Sequence, residues 1–305
     1  MAGPVACHHT RWDALESMDL DPGIAWQANL VMLVDRVDAL MAPHYGSREI
    51  FAHAREVQAQ IRVRSGTYFA PRLVELFLEA SRPEAFWLML EPRAIQVSLQ
   101  DLLAQGRPYQ ATVQEVMGLA RIFARIVDAK SPFTAEHSRG VASLARFLGE
   151  RAGLERAACD KLEIAGLLHD LGKLRIPDEI LDKPNRLDEA ERQVINTHSF
   201  ETYQILRRIQ GFEEIALWAA YHHEEPGGRG YPFHLDADQL PLEARIMRVA
   251  DIFQAMVQDR PYRHGLATEE VLAFLERLAD QGRLDDKVLA LATASLDEAM
   301  QVARG

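Results

Sequence analysis

Histidines and aspartates recur on the apolar faces of helices along this chain, and that pattern limits the possible folds more than any other feature. His137 shares a helical face with Val141, Leu144 and Leu148. His169 follows Leu162 and Ala165 on one face, with Asp170 beside it. His198 follows Val194 and Ile195. His222 follows Ile215, Trp218 and Ala219, with His223 adjoining. Asp251 lies between Met247 and Ala255, one helical turn from each. Each polar group is thereby directed toward the apolar interior of a helical bundle.

Taken singly, each is more simply a hydrogen-bonded core residue, and Asp251 an interior carboxylate paired with an arginine. Taken together they call for a common answer. Burying these imidazoles and carboxylates apart from one another is costly, whereas one pair of divalent cations satisfies them all. Bundle cores hold metal sites made from side chains on facing helices. Imidazole with carboxylate suits iron, manganese, zinc, cobalt or nickel and makes calcium a poor choice. Asp170 has two oxygens with which to bridge two metals. His137, His169 and Asp251 would complete one side and His198, His222 and His223 the other, with room for a bridging water or hydroxide. Two metals ~3.5–4 Å apart activate water and stabilise the oxygens of an in-line phosphoryl displacement. Lys173 lies about one helical turn past Asp170, within reach of a phosphate oxygen. Its plainer role is a cation near a helix C-terminus, favoured by the helix dipole.

The periodicity predicts an all-α fold, with helices over 24–42, 47–63, 70–80, 84–90, 94–105, 111–129, 134–151, 155–172, 188–209, 212–224, 241–258, 268–280 and 285–302. Asp188 with Glu191 spells a capping box at the start of the helix that carries His198. Ser131-Pro132 marks a break before the helix of His137. The polar "QGRPYQ" at 105–110 is the expected domain boundary, separating residues 1–105 from 111–305. The chain also repeats itself faintly. "ANLVMLVDRVDAL" (28–40) aligns with "ARIMRVADIFQAM" (244–256), placing Asp35 on Asp251. "GTYFAPRLV" (66–74) aligns loosely with "GRLDDKVL" (282–289). Residues ~24–90 read either as a chance likeness of amphipathic helices or as a truncated copy of the C-terminal half.

A formal net charge of −11 disfavours a binder of long nucleic acid. It leaves room for a small anion held by metals or a local group of cations. No apolar run approaches the ~18 residues that span a bilayer. The N-terminus lacks a secretory pattern. Two distant cysteines, Cys7 and Cys159, suit a reducing compartment. A cytoplasmic protein without membrane contact is therefore expected. The Cys7-His8-His9 run has no further ligand nearby and is read as a terminal feature.

"HS" at 137, "LLHDLGK" at 167–173, "IPDEILDKPNRLDEAE", "TH" at 197, "HHEEPGGRGYP" at 222–232 and "ARIMRVADIFQAMVQDRPYR" at 244–263 together resemble the HD-GYP domain, across roughly 111–300. "HD" with "GK" is shared across the wider HD hydrolase superfamily. The paired "HHE", the "GYP" and the "RPYR", in that order, are specific to HD-GYP proteins. The resemblance implies an HD-superfamily helical bundle with a smaller helical N-terminal domain. It implies a metal-dependent phosphodiesterase that hydrolyses cyclic di-GMP to pGpG, and often on to GMP, in bacterial second-messenger signalling. Cyclic GMP–AMP falls within the same chemistry. Two divalent metal ions, iron or manganese, are implied, with ligands at His137, His169, Asp170, His198, His222, His223 and Asp251. Asp170 and Lys173 are the implied catalytic groups. Tyr231 falls near the site, and Arg260 and Arg263 fall where substrate phosphate is held.

Four positions depart from the pattern. Gly227 stands in place of an aspartate, Glu225 in place of a base, Gln254 in place of the second aspartate of "VADxFDAL", and Thr202 in place of a glycine. The third-metal glutamate of some members is replaced by Phe133, so a two-metal site is expected. Asp35 has too little chain ahead of it to carry counterparts of His137, His169, His198 and His222. Residues 1–105 are then expected to be a degenerate copy serving regulation, packing or homodimerisation. A second reading is a catalytically weak signalling module that holds metal structurally and docks partners such as diguanylate cyclases (GGDEF proteins) through the GYP loop. The full ligand set weighs against it and Gly227 weighs for it. A third reading, an HD phosphohydrolase acting on another nucleotide, is disfavoured by "HHE" and "GYP" together.

Overall fold

A computed structural model describes residues 2–45, 50–105, 109–130, 137–183, 185–258 and 264–304. Among them there is no strand, only two isolated bridges, so the chain is all-α. No helix among the described residues is long and apolar enough to cross a membrane. Both cysteines are free thiols. The chain divides into two compact units, Met1–Tyr109 and Gln110–Gly305.

The first unit comprises α1 (Ala2–Ala6), α2 (Trp12–Leu15), α3 (Pro22–Met41), α4 (Ile50–Val63), α5 (Pro71–Ala80), α6 (Glu84–Leu88) and α7 (Pro92–Gln105). The start of α3 is set locally: Asp21 accepts a hydrogen bond from Gly23 N, and Pro22 takes the first turn, where no amide donor is needed. Leu33 and Val37 of α3, Ile61 of α4, Leu73 and Phe77 of α5 and Trp87 of α6 form its core.

The second unit comprises α8 (Val113–Lys130), α9 (His137–Arg151), α10 (Arg156–Leu168), α11 (Asp178–Leu181), α12 (Glu189–Leu206), α13 (Glu213–Ala220), α14 (Leu242–Val257), α15 (Thr268–Asp280), α16 (Asp286–Thr293) and α17 (Leu296–Arg304). Val141, Leu144 and Leu148 of α9 pack with Leu162 and Ala165 of α10 and Ile246, Met247 and Phe253 of α14 in one core. Each large side chain among them contributes roughly 1.5–3 kcal/mol by leaving water. The α9–α10 contact is close because Gly166 has no side chain: a Cβ there would lie 2.5 Å from the Ala142 Cα. The capping box of α12 is present in full, with Asp188 accepting from Glu191 N and Glu191 accepting from Asp188 N.

Three predicted helices end early. The helix expected over 155–172 stops at Leu168 and continues as a 3-10 segment, Leu171–Arg175. Gly172 N donates to the Thr202 hydroxyl instead of extending the α-helical ladder, and Lys173 N reaches Asp170 O. The helix expected over 212–224 stops at Ala220 and tightens into a 3-10 turn, Tyr221–His223. The helix expected over 285–302 divides into α16 and α17, where Ser295 with Glu298 spells a new helix start. The short helices α1 and α2 carry too few turns to show a period. The Ser131-Pro132 break and part of the expected 105–110 boundary lie outside the described residues.

The faint repeat has a structural counterpart. Helices α3, α4 and α5 follow one another as α14, α15 and α16 do, and Gly66 and Gly282 both take positive φ between the last two. The faces differ. Leu30, Val31 and Val34 of α3 are exposed, whereas the aligned Ile246, Met247 and Ala250 are wholly buried. Asp35 is exposed on α3.

Candidate metal centre

Three helix ends and the middles of α12 and α14 deliver the polar groups to one place. His137 begins α9, His169 and Asp170 follow α10, His198 sits in α12, and His222 and His223 follow α13. His137, His169, Asp170, His198 and His222 are all buried. Ligand-capable atoms of His137, His169 and Asp251 lie within 4.8 Å of one another, as do those of His198, His222 and His223, and those of His169, Asp170 and His222. Asp170 stands between the first two groups. Its Oδ2 is 3.3 Å from His169 Nε2 and its Oδ1 is 3.4 Å from His198 Nε2. Asp251 Oδ1 is 3.3 Å from His137 Nε2 and 3.9 Å from His169 Nε2.

The imidazoles are aimed by their far nitrogens. Nδ1 of His169 donates to Gly166 O at 2.7 Å, Nδ1 of His198 to Ile195 O at 2.7 Å, and Nδ1 of His222 to Ala219 O at 2.6 Å. Each acceptor is the carbonyl three residues back. A proton held on Nδ1 leaves the Nε2 lone pair facing inward, the usual arrangement behind a metal-binding histidine. His137 Nδ1 donates to the Gln254 amide oxygen instead. His223 differs: its Nδ1 faces Arg248 Nη1 at 3.2 Å and not a main-chain carbonyl.

The electrostatics match this donor set. Burial pushes the pKa of His198 down to about 4 and holds His222 and His223 well below the ordinary value, so these rings are neutral. Burial also opposes charge on His169, but the carboxylates of Asp170 and Asp251 outweigh it and push its pKa up to about 9. Burial would raise the pKa of both aspartates. The Lys173 and His169 charges hold Asp170 well below its ordinary value, and His137 and His169 do the same for Asp251. Neutral imidazoles at His198, His222 and His223 beside two ionised carboxylates suit divalent cations of the iron, manganese or zinc type, and a cation bound beside His169 would displace its proton.

Lys173 Nζ lies 2.6 Å from Asp170 Oδ2. The 3-10 segment explains this contact, because residues three apart eclipse in that geometry. Thr202 holds the segment in place: its hydroxyl accepts from Gly172 N at 2.9 Å and donates to His169 O at 3.0 Å. Tyr231 packs on His223, ring centroids 4.7 Å apart, and burial raises its pKa so that it stays a phenol. Arg260, Arg263 and Phe133 lie outside the described residues. The rings of His8 and His9 lie 3.9 Å apart at a tilt of 38°, and no metal-capable group of three forms there among the described residues.

Sequence reasoning passed over Glu224 and Arg229, and noted Glu225 and Gly227 only as departures from the family pattern. Glu224 is buried and accepts from Phe233 N at 2.7 Å and Leu235 N at 3.0 Å, tying the "GYP" loop to the paired histidines. Glu225 is buried between Arg248 Nη2 at 2.9 Å and Arg283 Nε at 2.8 Å. Gly227 N donates to Gly282 O, and a Cβ at Gly227 would lie 2.9 Å from that oxygen. Arg229 donates to Gln281 O. The two departures in this loop, Glu225 and Gly227, thus both meet the turn 281–283. The signal available in the sequence was the departures themselves.

A sequence profile described as "HD domain" matches residues 121–288. The 3'3'-cGAMP-specific phosphodiesterase 1 of Vibrio cholerae serotype O1 is 35% identical over 293 residues, 94% of this chain and 68% of that protein. The cyclic di-GMP phosphodiesterase response regulator RpfG of Xanthomonas campestris pv. campestris is 36% identical over 199 residues, 65% of this chain and 51% of its own length. The crystal structure of a cyclic GMP-AMP specific phosphodiesterase of V. cholerae superposes with a TM-score of 0.60 at 28% identity, covering 97% of this chain and 67% of that one. The chain therefore spans about two thirds of the first relative and about half of the regulator.

Proposed function

The chain belongs to the HD domain family, alongside phosphodiesterases of cyclic dinucleotides, and on that premise we propose that it hydrolyses a 3'3'-linked cyclic dinucleotide at a two-metal centre, cyclic GMP–AMP ahead of cyclic di-GMP. The observation that carries the proposal is Asp170, whose two oxygens face separate imidazole groups from a buried position. The order of substrates is supported by the relatives named for cyclic GMP–AMP, which match both units of the chain, whereas the cyclic di-GMP regulator matches 65% of it.

His137, His169 and Asp251 would hold one cation, His198, His222 and His223 the other, and Asp170 both, with iron or manganese the metals this donor set suits. The bound cations would supply an acidified water nucleophile and positive charge against the phosphoryl oxygens. Asp170, kept ionised by Lys173 and His169, is placed to orient the attacking water and take its proton. Lys173, partly open to solvent, is placed to meet the oxygen that leaves or gains charge. Tyr231 shields the His223 side from water. Arg260 and Arg263 are assigned to substrate phosphate by their sequence pattern.

The test is to purify the full chain anaerobically, count bound metal, and incubate it with cyclic GMP–AMP, cyclic di-GMP and cyclic di-AMP with Mn(II) or Fe(II). Asp170→Ala serves as the control. Linear dinucleotide or mononucleotide that disappears in the control supports the proposal. Bound metal without hydrolysis of any of the three would move the chain to a binding role, and a chain that takes up no metal would end the proposal.

A further inference from the structure

Beside the metal cluster lies a cavity of about 480 Å3 that His223, Tyr231 and Asp251 share with the site already described. Its remaining wall is of two kinds. Ile252, Met256, Phe274 and Leu278 make it apolar on one side, and Arg229, Arg248 and Arg283 bring guanidinium groups to the other. The arginines are not equivalent. Arg248 is committed: it donates to His223 Nδ1, His222 O and Glu225. Arg229 is fastened to Gln281 O. Arg283 is held only through Nε, by Glu225 Oε1 at 2.8 Å, and its two terminal nitrogens make no hydrogen bond among the described residues. Its side chain is 40% exposed, against 9% for Glu225 and 8% for Arg248.

We infer that this cavity is a guanine-reading subsite, in which Glu225, itself clamped by Arg248, presents the free fork of Arg283 to the acceptor edge of the base; the inference rests on the phosphodiesterase reading above. A fork pinned at one nitrogen loses little freedom on binding, and two parallel N–H groups match guanine O6 and N7. Adenine offers N7 beside an amino group there, which sets donor against donor. The apolar side favours a flat base over a bare phosphate, since ligand pockets pair an apolar wall with a few placed polar groups. The cavity also opens where it must. Asp251 and His223 border it, so a phosphodiester at the metals would carry its neighbouring base into it. The loop departures then have a shared sense: Glu225 holds Arg283, and Gly227 lets the loop close on Gly282, the residue before it.

The experiment uses the full chain supplied with Mn(II), as wild type, Arg283→Ala and Arg283→Lys, with metal content checked in each. Calorimetry gives the affinities for GMP and for AMP, and hydrolysis gives kcat/KM for cyclic di-GMP against cyclic di-AMP. Wild type is expected to prefer the guanine ligand by about 5–150-fold in both comparisons, the range of one good bidentate pair. Both variants should bring the preference close to one, the lysine variant as fully as alanine, because it keeps the charge and loses the fork. Equal affinity for GMP and AMP in wild type overturns the inference. So does a uniform weakening of both ligands in Arg283→Ala, which would make Arg283 a phosphate contact. A guanine preference that depends on Arg283, found without hydrolysis of any dinucleotide, would sink the phosphodiesterase reading and leave the subsite standing. Hydrolysis with no base preference would do the reverse.

Discussion

The amide oxygen of Gln254 accepts a 2.5 Å hydrogen bond from Nδ1 of His137. The same amide donates through Nε2 to Ala303 O at 3.4 Å, which fixes which end faces the ring. Gly140 makes the space, since a Cβ there would lie 2.7 Å from Gln254 Cγ. A partner behind a ligand histidine typically governs affinity by about 10–100-fold. Gln254→Leu should therefore weaken the metal held with His137 by that factor, and Gln254→Glu should restore or exceed wild-type affinity by placing a carboxylate behind the ring. Titration against a competing chelator reads both. Equal metal affinity in all three proteins would show that His137 needs no such partner.

Lys173 touches Asp170 but belongs to neither imidazole group. Lys173→Met should lower kcat by about 10²-fold or more, the usual loss for one electrostatic donor at a developing charge. Metal content should be unchanged. A loss of metal in step with activity would make Lys173 a support for Asp170 and not a partner of the substrate.

Gly172 sits where the 3-10 segment crosses α12. A Cβ there would lie 2.0 Å from His198 O, a contact that only backbone movement relieves. Gly172→Ala should cost about 4 kcal/mol or more, in the range of severe core strain. It should also displace His198 and lower metal content. Denaturant melts and metal analysis check the two together. A cost under about 1 kcal/mol would mean the segment yields without disturbing α12.

Asp285 caps α16 by accepting from Lys287 N and Val288 N, and it pairs with Arg245 Nη1 at 2.7 Å. Burial opposes its charge, yet the Val288 amide and the Arg245 guanidinium hold its pKa below the ordinary 3.8. A carboxylate depressed in the folded state contributes stability above its unfolded pKa and loses it as pH falls through the folded one. Asp285→Ala should thus be less stable than wild type by about 1–2 kcal/mol at pH 7. The difference should shrink below about pH 4, and Asp285→Asn should recover the capping share. Parallel melts across pH 3–7 decide it, and a difference that does not change with pH would assign the whole effect to packing.

Much of the histidine–aspartate cluster was legible because it is periodic. His137 with Val141, Leu144 and Leu148 obeys one rule, and the structure buries all four. What escaped reading is what has no period. Thr202 bonds to His169 O and Gly172 N across a long sequence separation, and that bond is what ends α10 and swings Lys173 over Asp170. Glu225 looked like a lost base, whereas the structure supplies the base from Arg248 and Arg283 on other elements. The apolar stripes of α3 and α14 are nearly interchangeable as sequence. Leu30, Val31 and Val34 lie open while Ile246, Met247 and Ala250 are covered, because α9 packs on α14. A stripe records that burial is possible and not whether a neighbour arrives.

His169, His198 and His222 are each aimed by a main-chain carbonyl three residues back, in α10, α12 and α13 respectively. Amino-acid replacement leaves a carbonyl in place. The aim of these three rings is therefore insulated from drift in the side chains around them. A lineage built on this bundle can change its pocket walls, its loops and whatever they recognise without first relearning how to point its imidazoles. His137 lacks that insulation, because its orientation passes through Gln254, a side chain that heredity can edit. His223, which faces the Arg248 side chain, shares that openness, so differences in metal preference among descendants of such a chain should accumulate at those two corners of the centre first.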